Sequence, residues 1–180
     1  MAIGTTTQYA NRYGLNLALY AITDPSMSGQ PLVEIDFANQ CTYDIPGDRV
    51  WATGGQDHAN KVGFNNPLNG TLTISTQLMT SELLNVIAGG TAGSATNTIE
   101  FKNSANTAPK YYIIKAETVW QDADGNTYSE TIVAHKASPQ RAYNISYSGD
   151  GDPTSVDVVF DLLQNSDGKL LTVTKADTTP

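Results

Sequence analysis

The sequence is poor in basic residues and in charge of any kind. Its 180 residues include ten Lys and Arg against eighteen Asp and Glu, a formal net charge of −8. No basic cluster is present, which disfavours binding to nucleic acid by phosphate neutralisation. Charged residues make up 16% of the chain, against roughly 25% in an average soluble protein, and threonine takes much of their place. Because β-branched residues suit half-buried pleated surfaces, this composition favours sheet.

Cysteine, histidine and long apolar runs are equally scarce. The single cysteine, Cys41, cannot form an internal disulfide and lacks the partners of a metal site, so we interpret it as a small buried hydrophobe. Neither His58 nor His135 lies in a catalytic signature. No apolar run reaches the roughly 18 residues of a membrane span, and the first residues do not resemble a secretion signal. We expect a soluble product that is made in the cytoplasm and does not associate with a membrane.

Sequence motifs for catalysis and for cofactors are missing too. The glycine runs lack the Gly-Lys-Ser/Thr ending of a P-loop, and no strand leads into a dinucleotide-binding turn. Asp122, Asp124 and Asn126 alternate as in a calcium loop, but Thr127 and Val133 stand where that loop needs glycine and glutamate. We therefore interpret this segment as a hairpin turn and predict no catalytic residue, no cofactor and no metal.

Alternation of apolar and polar residues predicts several strands. The clearest is 70–78, and in 156–162 Val156, Val158, Phe160 and Leu162 occupy one face. Two strands bracket the turn at 122–126, which predicts a hairpin. The predicted strands are 15–22, 32–38, 70–78, 99–101, 111–121, 128–136, 142–148, 156–162 and 170–173. One helix is predicted over 80–89, with a hydroxyl N-cap at its start, Thr80-Ser81, and a glycine stop.

The segment 43–69 has no regular period and is long for a connection inside a compact domain. It is either an extended loop or a ragged hairpin. Its aromatic and basic residues need a partner surface, so we predict that it contacts another subunit; the other interpretation is a lid over its own core. The candidate contact residues are Arg49, Trp51, His58, Lys61 and Phe64.

Acids recur on the polar faces of the predicted strands with hardly a lysine beside them. These acids are Glu34, Asp36, Asp157 and Asp161. An ordinary solvated face is the competing interpretation. The fold class that follows is mainly β: a β-sandwich or barrel-like domain with one short flanking α-helix and a long extended loop. We predict an N-terminal arm at 1–12, one domain at 13–174 and a C-terminal tail at 175–180.

The order of these elements resembles the major tail proteins that build bacteriophage tail tubes. The likeness is carried by Gly47-Asp48-Arg49-Val50-Trp51, by Asn66-Pro67-Leu68-Asn69-Gly70-Thr71-Leu72-Thr73-Ile74, and by Leu83-Leu84-Asn85-Val86-Ile87-Ala88-Gly89-Gly90. The resemblance implies a non-enzymatic virion protein, six subunits per ring, with inner sheets joined around a lumen. It also implies rings stacked by the long loop and terminal arms.

In that setting the partners are further copies of the chain together with tape measure, terminator and baseplate proteins, and DNA passes through the lumen without specific binding. The four acids become candidate lumen residues. Two other classes stay open from the sequence. One is a non-catalytic β-sandwich that binds carbohydrate or decorates a capsid or cell surface, with Trp51 and Trp120 as stacking platforms. The other is a hydrolase with convergent carboxylates, which sequence alone does not reveal.

Overall fold

A computed structural model describes residues 9–35, 38–47, 49–53, 60–65, 69–77, 80–88, 91–92, 99–100, 110–122, 125–140 and 155–177. Within these ranges the chain is mainly β with one short helix, as predicted. The strands are β1 (Tyr9–Ala21), β2 (Val33–Ile35), β3 (Ala38–Asp44), β4 (Arg49–Thr53), β5 (Asn60–Asn65), β6 (Gly70–Thr76), β7 (Thr91–Ala92), β8 (Ile99–Glu100), β9 (Tyr112–Asp122), β10 (Thr127–Pro139), β11 (Val156–Leu162) and β12 (Leu171–Asp177), and the helix is α1 (Ser81–Ala88).

Eight strands form one antiparallel sheet that folds into two layers. The first layer runs β2-β1-β9-β10-β12, and the second runs β11-β6-β3. Strand β10 belongs to both: along one edge it pairs first with β12, from Tyr128 to Ala134, and then with β11, from Ala137 to Pro139. The two layers are therefore covalently continuous through a single strand.

The change of partner occurs at an irregularity in β10. The register between β10 and β9 shifts between Ala134 and Ala137, which leaves His135 and Lys136 at the step. Their backbone groups are bonded all the same: His135 N–H donates to the Leu170 carbonyl at 3.2 Å, and the Lys136 carbonyl accepts from Leu163 N–H at 2.8 Å. Such a bulge bends a strand and increases its twist, which lets β10 turn from one layer into the other.

The core lies between the two layers. In β11 the residues predicted to face inward are all buried, while Asp157 and Asp161 are exposed. The same alternation in β6 buries Leu72 and Ile74. The largest side chains that are essentially inaccessible are Phe160, Leu19, Ile74, Leu83, Ile87, Ile114 and Leu162. They come from both layers and from the helix, so this is one core.

Helix α1 forms as predicted and closes part of the sandwich. Leu83 N–H donates to Thr80 Oγ1 at 3.2 Å, so Thr80 supplies the predicted hydroxyl N-cap. Leu83, Val86 and Ile87 are buried, and the helix lies against β2, β8 and β10. Leu84, which follows Leu83 in the helix, is only partly covered.

Two small sheets stand apart from the main one. β7 pairs with β8, and β4 pairs with β5 as an antiparallel hairpin. The hairpin occupies the centre of the segment predicted as a long loop or ragged hairpin, and a register shift between Ala52 and Thr53 makes it irregular.

Several element boundaries differ from the predictions. β1 begins at Tyr9, inside the predicted arm. The sequence pattern does not predict this start, because bulges between Ala10 and Arg12 and between Tyr13 and Leu15 break the alternation of apolar and polar residues. At the second bulge Gly14 has a φ of 73°, which glycine adopts without strain. β12 continues to Asp177, inside the predicted tail, because β10 supplies it with a partner. Of the predicted strand 32–38, the structure describes β2 and the first residue of β3, Ala38. The predicted strand 142–148 lies outside the described residues.

Candidate assembly surfaces

The β4–β5 hairpin contains four of the five predicted contact residues: Arg49, Trp51, Lys61 and Phe64. His58 lies outside the described residues. In the register Trp51 is opposite Gly63 and Val50 is opposite Phe64. Among the described elements β4 and β5 pack substantially only against each other. An isolated two-stranded hairpin is marginally stable at best in water.

The hairpin strands differ in charge from the rest of the chain. β4 reads RVWAT and β5 reads NKVGFN, so the two strands carry two cations and no acid. The complete chain has a net charge of −8. Opposite charges favour encounter between such a segment and another copy of the same acidic protein.

The outer face of the first layer carries charges of both signs. Lys115 Nζ lies 2.5 Å from Glu117 Oε1, and this carboxylate raises the pKa of the lysine. Glu34 in β2, Lys115 and Glu117 line one concavity at the edge of β1, with Asn16 and Tyr20. In the register, a row across the sheet joins Glu34, Ala18, Lys115, Val133 and Thr172. By the register, the hydroxyl residues Ser129, Thr131 and Thr174 lie on the same face.

The outer face of the second layer is acidic and rich in hydroxyls. Asp157 accepts a hydrogen bond from Ser75 Oγ, and Asp161 Oδ1 accepts one from Gln140 Nε2 at 2.6 Å. In the register, Asp161 lies opposite Thr71, which lies opposite Asp44. Strands β3, β6 and β11 contain no lysine or arginine.

The structure thus separates the predicted lumen acids. Glu34 is exposed on the first layer, whereas Asp157 and Asp161 are exposed on the second. The two layers pack through their inner faces, so these acids point to opposite sides of the sandwich. Asp36 lies outside the described residues.

The first layer ends in two backbone edges without a partner among the described strands. β12 pairs only with β10, and β1 pairs with β2 only from Leu17 to Leu19. The stretch of β1 from Tyr9 to Asn16 pairs with β9 on its other side. Unpaired edges of this length are templates for pairing with another chain.

A groove opens between the two layers on the side of the sandwich where β1 and β3 lie next to each other. β3 lies beside β1 but does not pair with it in the described part of the chain. The space between them, about 540 Å³, is the seam groove. Its apolar lining comprises Leu15, Ala38, Cys41, Tyr43, Ala116 and Ile132. Burial raises the pKa of the Cys41 thiol to about 11, so the thiol stays neutral and behaves as the predicted small hydrophobe.

Comparison with models of known protein families identifies the family of the chain. The model of the YomU/Tube protein family matches residues 52–173, from the hairpin to β12. The chain belongs to this family of phage tail tube proteins. A search of curated proteins gives no significant match.

Family membership indicates a structural role in the tail of a virion and assembly with itself and other tail components. It favours a structural over a catalytic role, as the sequence predicts. In the described residues no group of three or more His, Cys, Asp and Glu side chains is placed to hold a metal ion. No described helix is long and apolar enough to cross a membrane.

One polar cluster was missed in the sequence. Glu130, 2% exposed, accepts a hydrogen bond from Trp120 Nε1, and Lys175 Nζ lies 4.3 Å from the centre of the Trp120 ring. These residues join β9, β10 and β12. The sequence pattern could have predicted this cluster. Glu130 lies on the same face of β10 as the buried Ile132 and Ala134, and an acid at a buried position requires a partner.

Proposed function

We propose that this protein is the tube-forming subunit of a phage tail, with six copies in each ring and rings stacked around a lumen that conducts DNA. The observation that carries the proposal is the pair of open edges on the first layer. Strands β1, β9, β10 and β12 alternate in direction. If β12 of one copy meets β1 of the next, the new pair is antiparallel at every junction.

Joining copies in this way would remove the edges that otherwise invite uncontrolled aggregation. Six copies of a four-stranded unit give a barrel of about 24 strands, wider than the 16–18-stranded barrels that already enclose an aqueous channel. The outer face of the first layer would then line the lumen. Among the described residues, its hydroxyls and the Lys115–Glu117 pair offer no cluster of free cations to hold DNA.

This arrangement assigns the predicted acids different places. Glu34, together with Glu117, belongs to the lumen, and Asp157 and Asp161 belong to the outside of the tube. The β4–β5 hairpin contacts the adjacent ring. Tape measure, terminator and baseplate proteins are the further partners, and DNA passes without specific binding.

Electron microscopy of the purified protein tests the assembly, together with mass measurement. We expect rings or tubes with six-fold symmetry. A protein that remains monomeric at high concentration with its tail partners present contradicts the proposal.

The ring junction can be tested with two adjacent proline variants, Val173→Pro and Thr174→Pro. Successive N–H groups of a strand point to opposite sides, so one proline removes a bond to β10 and the other blocks only the open edge. We expect one variant to fold like the parent yet form no rings, and Thr174→Ala to form them normally. Rings from both proline variants would refute the junction.

The stacking role is tested by deleting residues 53–61. The remaining subunit should fold and form rings, because the hairpin is a separate two-stranded sheet. It should form no tubes. Tubes of normal length would remove the assigned role of the hairpin.

The lumen face is tested by charge reversal at two exposed acids. Glu34→Lys should slow DNA ejection from assembled virions, because each ring gains six cations along the path of the DNA. Asp44→Lys, on the second layer, is the matched control and should leave ejection unchanged. The opposite result would place the second layer on the lumen.

The non-catalytic binding module is less well supported. The Trp120 N–H is bonded to Glu130, and the ring carries the Lys175 ammonium on its face. It is therefore not a bare stacking platform for a sugar.

A further inference from the structure

One row of the core ends in an exposed apolar side chain on β12. In the register Leu17, Ala116, Ile132 and Val173 lie opposite one another on β1, β9, β10 and β12. Directly opposite residues of antiparallel strands share a face, so all four belong to the inner face of the first layer. The first three are at most 6% exposed, whereas Val173 is 45% exposed. Among the described elements β12 packs substantially only against β10, so the inner face extends beyond its cover at this edge.

The seam groove leaves the same face open at the opposite edge of the layer. Its lining includes Ala116 and Ile132, two members of that row. The exposed residues of the lining are Gly14 in β1 and Asn39 and Gln40 in β3. The mouth of the groove therefore lies beside the stretch of β1 that has no second partner among the described strands.

A strand that pairs with this stretch of β1 extends the inner face across the mouth of the groove. Successive side chains of a strand point to opposite faces, so every second residue of the added strand lies on the groove side. On β12 these residues are Leu171, Val173 and Lys175. Leu171 packs against its own core, so Val173 is the exposed apolar side chain that β12 presents.

The length of the open stretch places Val173 at the mouth. β2 already occupies the edge of β1 from Leu17 to Leu19, and the stretch from Tyr9 to Asn16 is long enough for the seven residues of β12. Because the junction is antiparallel, β12 enters at the Asn16 end, and its third residue, Val173, comes level with Gly14. No described atom lies within 4 Å of the position that a Cβ on Gly14 would take, so the space beside this bulge is open.

We propose that Val173 of one copy occupies the mouth of the seam groove of the next copy in the ring, between β1 and β3. The inference rests on the proposed ring, because it names the side-chain contact that accompanies the β12–β1 junction. Family membership indicates assembly of the chain with itself, and the groove is continuous with the edge at which the copies join. The contact removes two apolar surfaces from water at once. It also ties the second layer of each copy to the first layer of its neighbour.

The test is disulfide formation between two introduced cysteines in a chain that also carries Cys41→Ser. Val173→Cys replaces the proposed occupant, and Asn39→Cys or, in a second protein, Gln40→Cys lies at the mouth of the groove. Within one chain β10 and β9 separate β12 from β1, a distance of about 14 Å, whereas the Cα atoms of a disulfide lie within about 7 Å of each other. A disulfide between the two positions therefore joins two copies. The matched control carries Thr174→Cys, on the opposite face of β12, in place of Val173→Cys.

We expect mild oxidation to produce a covalent ladder of up to six chains at least about tenfold faster with Val173→Cys than with Thr174→Cys, a ratio that corresponds to about 1.4 kcal/mol of preference. Rings that form without this preference at either mouth position overturn the groove assignment and leave the ring intact. Preferential coupling in a protein that forms no closed ring supports the groove contact and overturns the ring. A protein that shows neither rings nor preferential coupling overturns both.

A charged variant provides a second measurement. Val173→Asp should fold like the parent, as verified by circular dichroism and thermal unfolding, because Val173 is 45% exposed in the single subunit. We expect the protein concentration at which rings appear to rise about tenfold or more, since the junction would bury a carboxylate without a partner. Thr174→Asp, an exposed position on the other face, is the control and should assemble at the parental concentration. Rings from folded Val173→Asp protein at the parental concentration contradict the inference.

Discussion

The two-layer core and the β4–β5 hairpin are both antiparallel β-structure, but they are supported differently. Each strand of the second layer lies in a sheet and covers a shared core, where Phe160 and Val158 are fully buried. The hairpin strands have each other and no comparable contact in the described chain. We expect the core to stabilise the subunit by itself and the hairpin to act in assembly. Stability and assembly should therefore respond to different substitutions.

The largest effect on stability is expected in the core. Phe160→Ala removes a fully buried ring and should lower the free energy of unfolding by about 3–5 kcal/mol. Urea denaturation of the unassembled subunit measures the change. Val159→Ala, on the partly exposed side of the same strand, is the control and should have a much smaller effect. Equal effects would show that β11 does not separate a buried from an exposed face.

A smaller loss is expected at the buried acid. Glu130→Ala leaves the Trp120 N–H without this acceptor and should destabilise the subunit by about 1–3 kcal/mol. Glu130→Gln keeps an acceptor oxygen and should lose less. Chemical denaturation compares the three proteins, and a neutral Glu130→Ala would mean that the cluster adds nothing to the core.

The helix cap is expected to contribute less again. Thr80→Ala removes the hydrogen bond to Leu83 N–H and should reduce the free energy of unfolding by about 1 kcal/mol. Thr80→Ser retains the hydroxyl and serves as its control. If alanine and serine behave alike, packing of α1 and not its cap determines its stability.

The bulge in β10 should give a modest dependence on pH. Burial, followed by the nearby Lys169, lowers the pKa of His135 below 6.5, and Asp167 opposes the shift. Below pH 6.5 the unfolded chain therefore binds a proton that the folded chain resists, and stability falls as the pH drops toward the folded pKa. His135→Gln should flatten this part of the stability curve, and His58→Gln should not. A slope that survives His135→Gln assigns the effect elsewhere.

The smallest effect on subunit stability is expected in the hairpin. Trp51→Ala should change the free energy of unfolding by no more than about 0.5 kcal/mol. The same substitution should shorten or abolish tubes, as measured by sedimentation and electron microscopy. A destabilisation like that of Phe160→Ala would show that Trp51 belongs to its own core, which was the lid interpretation of this segment.

Local sequence predicts the elements whose pattern is complete within a few residues. The alternation of Leu72 and Ile74 specifies β6, and Thr80 marks the start of α1, because both signals depend on neighbours along the chain. Local sequence does not predict the start of β1 at Tyr9 or the end of β12 at Asp177. They are strands because β9 and β10 supply partners from distant parts of the sequence, and the bulges in β1 hide its period.

The surfaces were predictable only in part. An irregular segment with Trp51 and Phe64 indicates a contact region without tertiary information. The separation of Glu34 from Asp157 required knowledge of which strand lies in which layer. The seam groove could not be predicted at all, because Leu15, Cys41 and Ile132 come together only when the two layers fold over each other.

The pairing of β1 with β9 has a consequence for how the subunit is made. Paired residues are 91 to 113 positions apart, from Ala21 with Tyr112 to Tyr9 with Asp122. A ribosome adds about 5–20 residues per second, so β1 waits on the order of 5 to 20 s for its partner to be synthesised. Contacts this distant in sequence slow folding. Newly made chains on one messenger thus expose unpaired β1 strands side by side, and a host chaperone that holds them apart during this interval would raise the yield of subunits.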